Sequence, residues 1–180
     1  MKSAATDMVA MLLIGTGDCV HALPLDHVVE TMRPLPVEPL PGCPDFVAGL
    51  AVIRGEPVPV VTLAALTGIR RARSERFVTI QVHGRADGRA DERMSGQARG
   101  QTDGRLVALA VERVIGVRRL DAAGLAAAPP LLGRPDLVAH LGTLDGALLL
   151  VLETGHLLPP DLLPLPGMPP APLADDGIRP

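Results

Sequence analysis

Five histidines, a scatter of carboxylates and two cysteines are the side chains that could do chemistry in this chain. The histidines are His21, His27, His83, His140 and His156. No two stand at the i, i+4 spacing that puts a pair of imidazoles on one helix face, and no His-x-His occurs. Cys19 and Cys43 form no Cys-x-x-Cys, so neither a zinc site nor a thioredoxin-type redox pair is written. They are expected as two reduced thiols of a cytoplasmic protein, with a single bridge as the alternative. There is no Gly-x-Ser-x-Gly nucleophile elbow. Residues 15–18, GTGD, lack the Gly-Lys-Ser/Thr of a phosphate-binding loop. Asp26, Glu30, Glu56 and Glu112 could pair for acid–base work, but surface or turn roles account for them as well. Spacing gives no positive argument for an enzyme, a metal or a cofactor.

One charged group remains to be explained. Residues 52–61 read VIRGEPVPVV, two apolar runs around an Arg-Gly-Glu. Arg54 would sit at the tip of the hairpin. An arginine there offers five donors in a fixed fork and a stem that packs on apolar surface. With Ile53, Val58 and Val60 beside it, it would make the mixed apolar and charged contact that anchors interfaces. The alternative is that Arg54 simply tips the hairpin into water.

The rest of the chain must position that tip. With 180 residues, 47% of them apolar, the chain can form one domain or two small lobes sharing a core. Phe46 and Phe77 are its only aromatic residues, which argues against sugar-binding and single-strand nucleic-acid surfaces built by ring stacking. A formal charge of -3 argues against a duplex binder. MVAMLLI at 8–14 is too short for a targeting segment, has Asp7 at its edge and is followed by no cleavage site. The apolar run near the C-terminus is broken by Glu153, Gly155 and prolines, and nothing approaches the roughly 18 apolar residues of a membrane span. The expectation is a soluble, cytoplasmic protein with no direct membrane insertion.

Short apolar runs separated by turn residues predict strands. These are 8–15, 19–23, a short strand after a helical turn at 25–28, 48–55 and 57–63 around the Arg54 turn, 75–83, 105–111, 113–120, and a hairpin of 136–144 and 147–153 around Asp145-Gly146. Residues 33–44 carry five prolines and can be neither helix nor central strand, which leaves an ordered loop or an extended wrap. Residues 64–68 read as a short helix ended by Gly68. Pro57 and Pro59 mark an edge or a barrel corner. Residues 84–104, with a repeated GRAD, read as a disordered insert. Residues 121–132 look irregular, with a brief helical turn. The domain is placed at 8–158, with tails at 1–7 and 159–180, the latter proline-rich. Nine or ten short strands and few helices argue an all-β sandwich or barrel, and their grouping suggests two small barrels.

GDCVHALPLDHVVETM followed by PGCPDFVAGLAVIRGEPVPVVTLAALTG resembles the CheW-like domain of bacterial chemotaxis. GRLVALAVERVIGV is similar to that family's third block, and HLGTLDGALLLVLETGHLL to its closing hairpin and short helix. The order and spacing of four blocks, over about residues 10–158, carry the resemblance. Val28, Glu30, Arg54 and Gly55 match the family pattern. Val52, Ile53, Thr62, Glu112 and His21 depart from it, standing where the family usually has Asn, Leu, Asp, Asp and an aromatic residue.

The resemblance implies two intertwined five-stranded SH3-like barrels around a shared apolar core, with a few helical turns and no catalysis. It implies a scaffold that couples the cytoplasmic tip of a methyl-accepting chemoreceptor to the regulatory domain of a histidine autokinase, at membrane-associated receptor arrays. Carried over by position, the receptor-facing residues are Val28, Glu30, Ile53 and Arg54, with Val111 and Val114 from the later strands. The chain shows no receiver or kinase segment, so a free-standing adaptor of modest affinity is expected. Rival readings are a nucleic-acid-binding β-barrel, which would show a salt-sensitive shift with DNA or RNA, and an enzyme, whose His and Asp residues would have to converge in one pocket. A third is a related adaptor of a twitching or surface-sensing pathway.

Overall fold

The computed structural model describes residues 8–69, 73–82, 105–129 and 137–158. The tails expected at 1–7 and 159–180, the insert at 84–104 and His83 lie outside the described residues.

In chain order the strands are β1 (Met8–Thr16), β2 (Cys19–Pro24), β3 (Val28–Met32), β4 (Val47–Ile53), β5 (Glu56–Thr62), β6 (Arg76–Val82), β7 (Arg105–Val111), β8 (Arg113–Asp121), β9 (Ala126–Ala127), β10 (Val138–Leu144) and β11 (Ala147–Leu152). Helix α1 (Leu63–Leu66) and 3-10 turns at Leu25–His27, Ala122–Gly124 and Thr154–His156 complete the fold. Two sheets result, one ordered β8-β1-β2-β11-β10-β9 and one ordered β3-β6-β7-β5-β4.

The expected sandwich or barrel thus takes a definite form. β1 and β2 belong to the first sheet, β3 to β7 to the second, and β8 to β11 to the first again. The chain crosses between sheets at Leu25–His27, and again at Glu112, the lone residue between β7 and β8. This is the intertwining expected from the resemblance. The first sheet has six strands where five were expected, because Ala126 and Ala127 pair with Leu141 and His140. Alanine carries little β propensity, so that strand left no trace in the sequence.

The cores follow from strand parity. Along β7, Val107, Leu109 and Val111 join one buried cluster, while Ala108 and Ala110 join another. Along β1, Leu12 and Ile14 join the first of these clusters, while Met11 and Leu13 join a third. Each sheet therefore encloses its own core and presents its other face to a core shared with the opposite sheet. This explains why β1 and β7 read as continuous apolar runs rather than alternating ones: both faces are buried. Each fully buried aliphatic side chain contributes about 1.5–3 kcal/mol relative to exposure, so these three clusters outweigh the few surface ion pairs.

The proline-rich segment 33–44 is an ordered wrap along the edge strand β4. Glu38 exchanges two backbone hydrogen bonds with Leu50, its N–H donating at 2.8 Å and its carbonyl accepting at 2.9 Å. The approach is possible because residue 49 is glycine. Gly49 holds φ +138°, and a Cβ there would collide with the Glu38 carbonyl. Pro57 and Pro59 lie where β5 pairs with β4 alone, since β7 joins β5 only from Val60. Their missing donors fall on the open side, as the edge reading requires.

Candidate partner-docking surface

Glu30 and Arg54 come from opposite edges of the five-stranded sheet, yet they touch. Glu30 lies on β3, the first strand in the sheet order, and Arg54 follows β4, the last. The sheet must curl to bring these edges together, and a forked ion pair spans the gap. Arg54 Nε donates to Glu30 Oε1 at 2.8 Å and Nη2 donates to Oε2 at 2.7 Å. This bidentate match of guanidinium and carboxylate fixes orientation as well as distance. Arg54's hydrogen bonds, reinforced by its charge, hold the Glu30 carboxyl below its ordinary value against the opposing effect of desolvation.

The turn aims the arginine. Ile53 pairs with Glu56, which leaves Arg54 and Gly55 as a two-residue loop. Both take positive φ, +54° and +87°. Gly55 takes this conformation at no steric cost, and Arg54 shares it. Two left-handed residues in succession match the twist of the flanking strands. The Arg54 side chain stays 75% exposed while Glu30 is 26% exposed, so the fork is anchored on one side and open on the other.

The other sequence-derived site residues divide into two groups. Val28 and Val114 are half-buried and packed against the shared core. Ile53 and Val111 are 2% and 1% exposed and belong to the cores, so the structure gives neither a surface to offer a partner. The correction comes from parity. Next to Ile53, Val52 points outward at 68% exposure, and beside Glu30, Val29 is 53% exposed. Both were missed because β4 alternates in burial but is apolar on both faces, and β3 opens with two adjacent valines that face opposite ways. One consequence is directly testable. Ile53→Ala should cost about 2–5 kcal/mol of stability by leaving a cavity. Val52→Asp should leave the thermal midpoint nearly unchanged and weaken partner binding. Denaturation curves and a binding isotherm on both variants check this.

A second polar cluster sits where the chain crosses back at Glu112. Glu112 Oε2 accepts from the Gly17 N–H at 2.8 Å, and Arg113 Nη2 donates to the Gly17 carbonyl at 3.0 Å. Arg113 Nη1 also donates to Glu112 Oε1 at 3.0 Å. The two side chains clamp both backbone groups of the β1–β2 turn. A Cβ on residue 15 would meet Arg113 Nε at 2.6 Å, so Gly15 lets the guanidinium lie flat on the strand. Glu112 thus ties the crossover to the first hairpin, and its carboxylate is engaged there.

His21 is buried in β2, His27 shares a 2.7 Å hydrogen bond with the Thr154 hydroxyl, and His140 is exposed. Among the described residues no group of three His, Cys, Asp or Glu side chains could hold a metal ion. Cys19 and Cys43 are both free thiols. Among the described residues no helix is long and apolar enough to cross a membrane.

Two interlocked β-barrels with an ion pair exposed at a hairpin tip define a β-barrel protein-interaction module. The sequence matches the CheW-like domain family over residues 10–161. The chain belongs to that family. Among solved structures it is similar to the scaffolding protein TtCheW from Thermoanaerobacter tengcongensis, at 18% identity and a TM-score of 0.66, covering 83% of this chain and 92% of that one. The fold is therefore the all-β, double SH3-like barrel that the sequence led us to expect. No curated protein matches the sequence.

Proposed function

We propose that this protein is a non-catalytic coupling adaptor that joins the cytoplasmic tip of a chemoreceptor to the regulatory domain of a histidine autokinase. The observation that carries the proposal is the Glu30–Arg54 fork, rigidly aimed yet exposed, with Val52 and Val29 on the same two strand segments. A helix bundle with apolar and acidic side chains on one face would meet both kinds of contact there. Arg54 keeps donor capacity after binding Glu30, because a guanidinium has five N–H groups and two are used. The receptor-facing residues of this reading are Val28, Glu30, Arg54 and Val114, joined by Val29 and Val52 in place of Ile53 and Val111. The protein would work in the cytoplasm, at membrane-associated receptor arrays, and it needs no nucleic acid, metal or cofactor for this role.

The test is a capture from native cytoplasm with the tagged protein as bait, read by mass spectrometry. Recovery of a chemoreceptor together with a histidine kinase supports the reading. Recovery of neither, under conditions in which a control coupling protein captures both, overturns it. Recovery of surface-motility receptors in their place would move the protein to another chemosensory pathway.

A further inference from the structure

We infer that His21 makes the seam between the two barrels a proton-sensitive joint, and that protonating its imidazole opens the shared core. His21 has no exposed surface, and neither Nδ1 nor Nε2 has a hydrogen-bond partner. Such an orphaned buried group is rare and asks for an explanation. Its position supplies one. In register His21 lies opposite Ile14 on β1 and beside Leu150 on β11. It therefore shares the face of Ile14 and Leu23, which belong to the core common to both barrels. Thr16, on that same face of β1, also has a buried hydroxyl with no partner.

A neutral imidazole can remain there; an imidazolium cannot. The charged ring presents two N–H donors and requires an acceptor or a counter-charge. β1 and β11, the strands paired with β2, contain no ionisable side chain. Among the other elements of the shared core, α1 has none either, and the charged residues of β5 and β8 are exposed. β6 brings exposed Arg76 and β7 half-buried Arg105, both cations at strand starts. The 3-10 turns bring exposed Asp26 and half-buried His27 and His156, and β10 brings exposed His140. The half-buried carboxylates are engaged elsewhere: Glu30 with Arg54, Glu112 with Gly17 and Arg113, and Glu153 with the Gly155 N–H. No ion pair among the described residues involves His21. Desolvation accordingly pushes its pKa down to about 4 from 6.5.

The sign follows from linkage. The folded-state pKa is the lower one, so the unfolded or opened state binds the extra proton. Stability from a neutral His21 is complete above pH 6.5, falls as the pH drops below that, and levels off below about 4. The opened population rises by up to tenfold for each pH unit inside this window. The joint lies at β2, which leads through Leu25–His27 directly into β3 and Glu30. Acidification would thus loosen the strand that carries the docking surface. This device depends on the packing of the shared core and holds whatever partner the surface binds.

The experiment combines two measurements on the full chain. First, the His21 imidazole is followed by NMR from pH 8 to pH 5; its resonances should stay those of a neutral ring while the protein remains folded. A native protein whose His21 titrates near 6.5 overturns the proposal. Second, amide exchange is compared at pH 7 and pH 5 after correction for intrinsic rates. Protection at β2 and β11 should fall at least tenfold more than at Phe77 and Ala108, which lie in the core of the five-stranded sheet. Equal loss in both places overturns the seam as the point of opening. His21→Leu should remove the acid-dependent loss, and His21→Gln, neutral and polar, should do the same if the leucine variant fails to fold. Parallel acid profiles for wild type and a folded variant overturn the inference, and the wild-type measurements decide it if neither variant folds.

Discussion

Arg54→Glu should reduce affinity for a receptor cytoplasmic fragment by about tenfold or more while shifting the thermal midpoint by no more than about 2 °C. Both expectations come from the geometry of one turn. The Arg54 side chain is 75% exposed, so the substituted carboxylate can swing into water rather than stay against Glu30. The three cores beneath are untouched. What changes is the sign of the charge presented to a partner, and a like-charge contact at a docking surface is costly where a surface ion pair contributes little to folding. The reciprocal exchange, Glu30→Arg with Arg54→Glu, separates two roles. It restores an ion pair between the two sheet edges but reverses its direction. Binding that stays weak in the double variant shows that Arg54 touches the partner. Binding that recovers shows that the pair acts only by holding β3 and the β4–β5 turn together. Unchanged binding in the single variant removes Arg54 from the interface. Titration calorimetry with differential scanning calorimetry gives both readouts.

Gly49→Ala should be among the most destabilising small substitutions in the molecule, at about 3 kcal/mol, or roughly 6–12 °C in midpoint. Two effects add. A non-glycine residue at φ +138° is strained, and the new methyl group collides with the Glu38 carbonyl. Relief requires moving the wrap, which breaks the paired Glu38–Leu50 hydrogen bonds. Gly55→Ala is the control. Gly55 also has positive φ, +87°, but a Cβ there meets nothing within 4 Å. It should cost only about 1 kcal/mol, the backbone strain alone. Equal costs for the two variants would mean that the wrap does not press on β4.

The sequence was most informative where local chemistry decides structure. Asp145-Gly146 and Gly55 announced their turns, and the expected strands match β1 to β8, β10 and β11 closely. The family resemblance added the double barrel, which strand patterns alone only suggested. Parity was not legible. VIR, read along the chain, gives no sign that Val52 faces water and Ile53 the core, because both are β-branched and no polar residue of VAGLAVI marks its outward face. The same ambiguity placed Val111 on a surface when it belongs to the shared core. Glu30 and Arg54 were each picked out, but their union was not, because they meet only when the sheet curls. The hydrogen bonds of Glu112 to Gly17 and of His27 to Thr154 join residues far apart in sequence, and no local pattern encodes such meetings.

The order of strands in the six-stranded sheet also governs how the molecule can be built on a ribosome. β2 lies between β1 and β11, with Ala22 opposite Val151, so its neighbours come from opposite ends of the described chain. The five-stranded sheet has all its members once β7 has emerged, and its own core can close then. The β1–β2 hairpin, made first, must wait through the synthesis of everything up to β11 with an apolar edge unpaired. An unpaired edge of that kind invites association with other nascent chains. A ribosome stalled before β11 thus leaves the five-stranded sheet with all its strands and the first hairpin without its β11 partner.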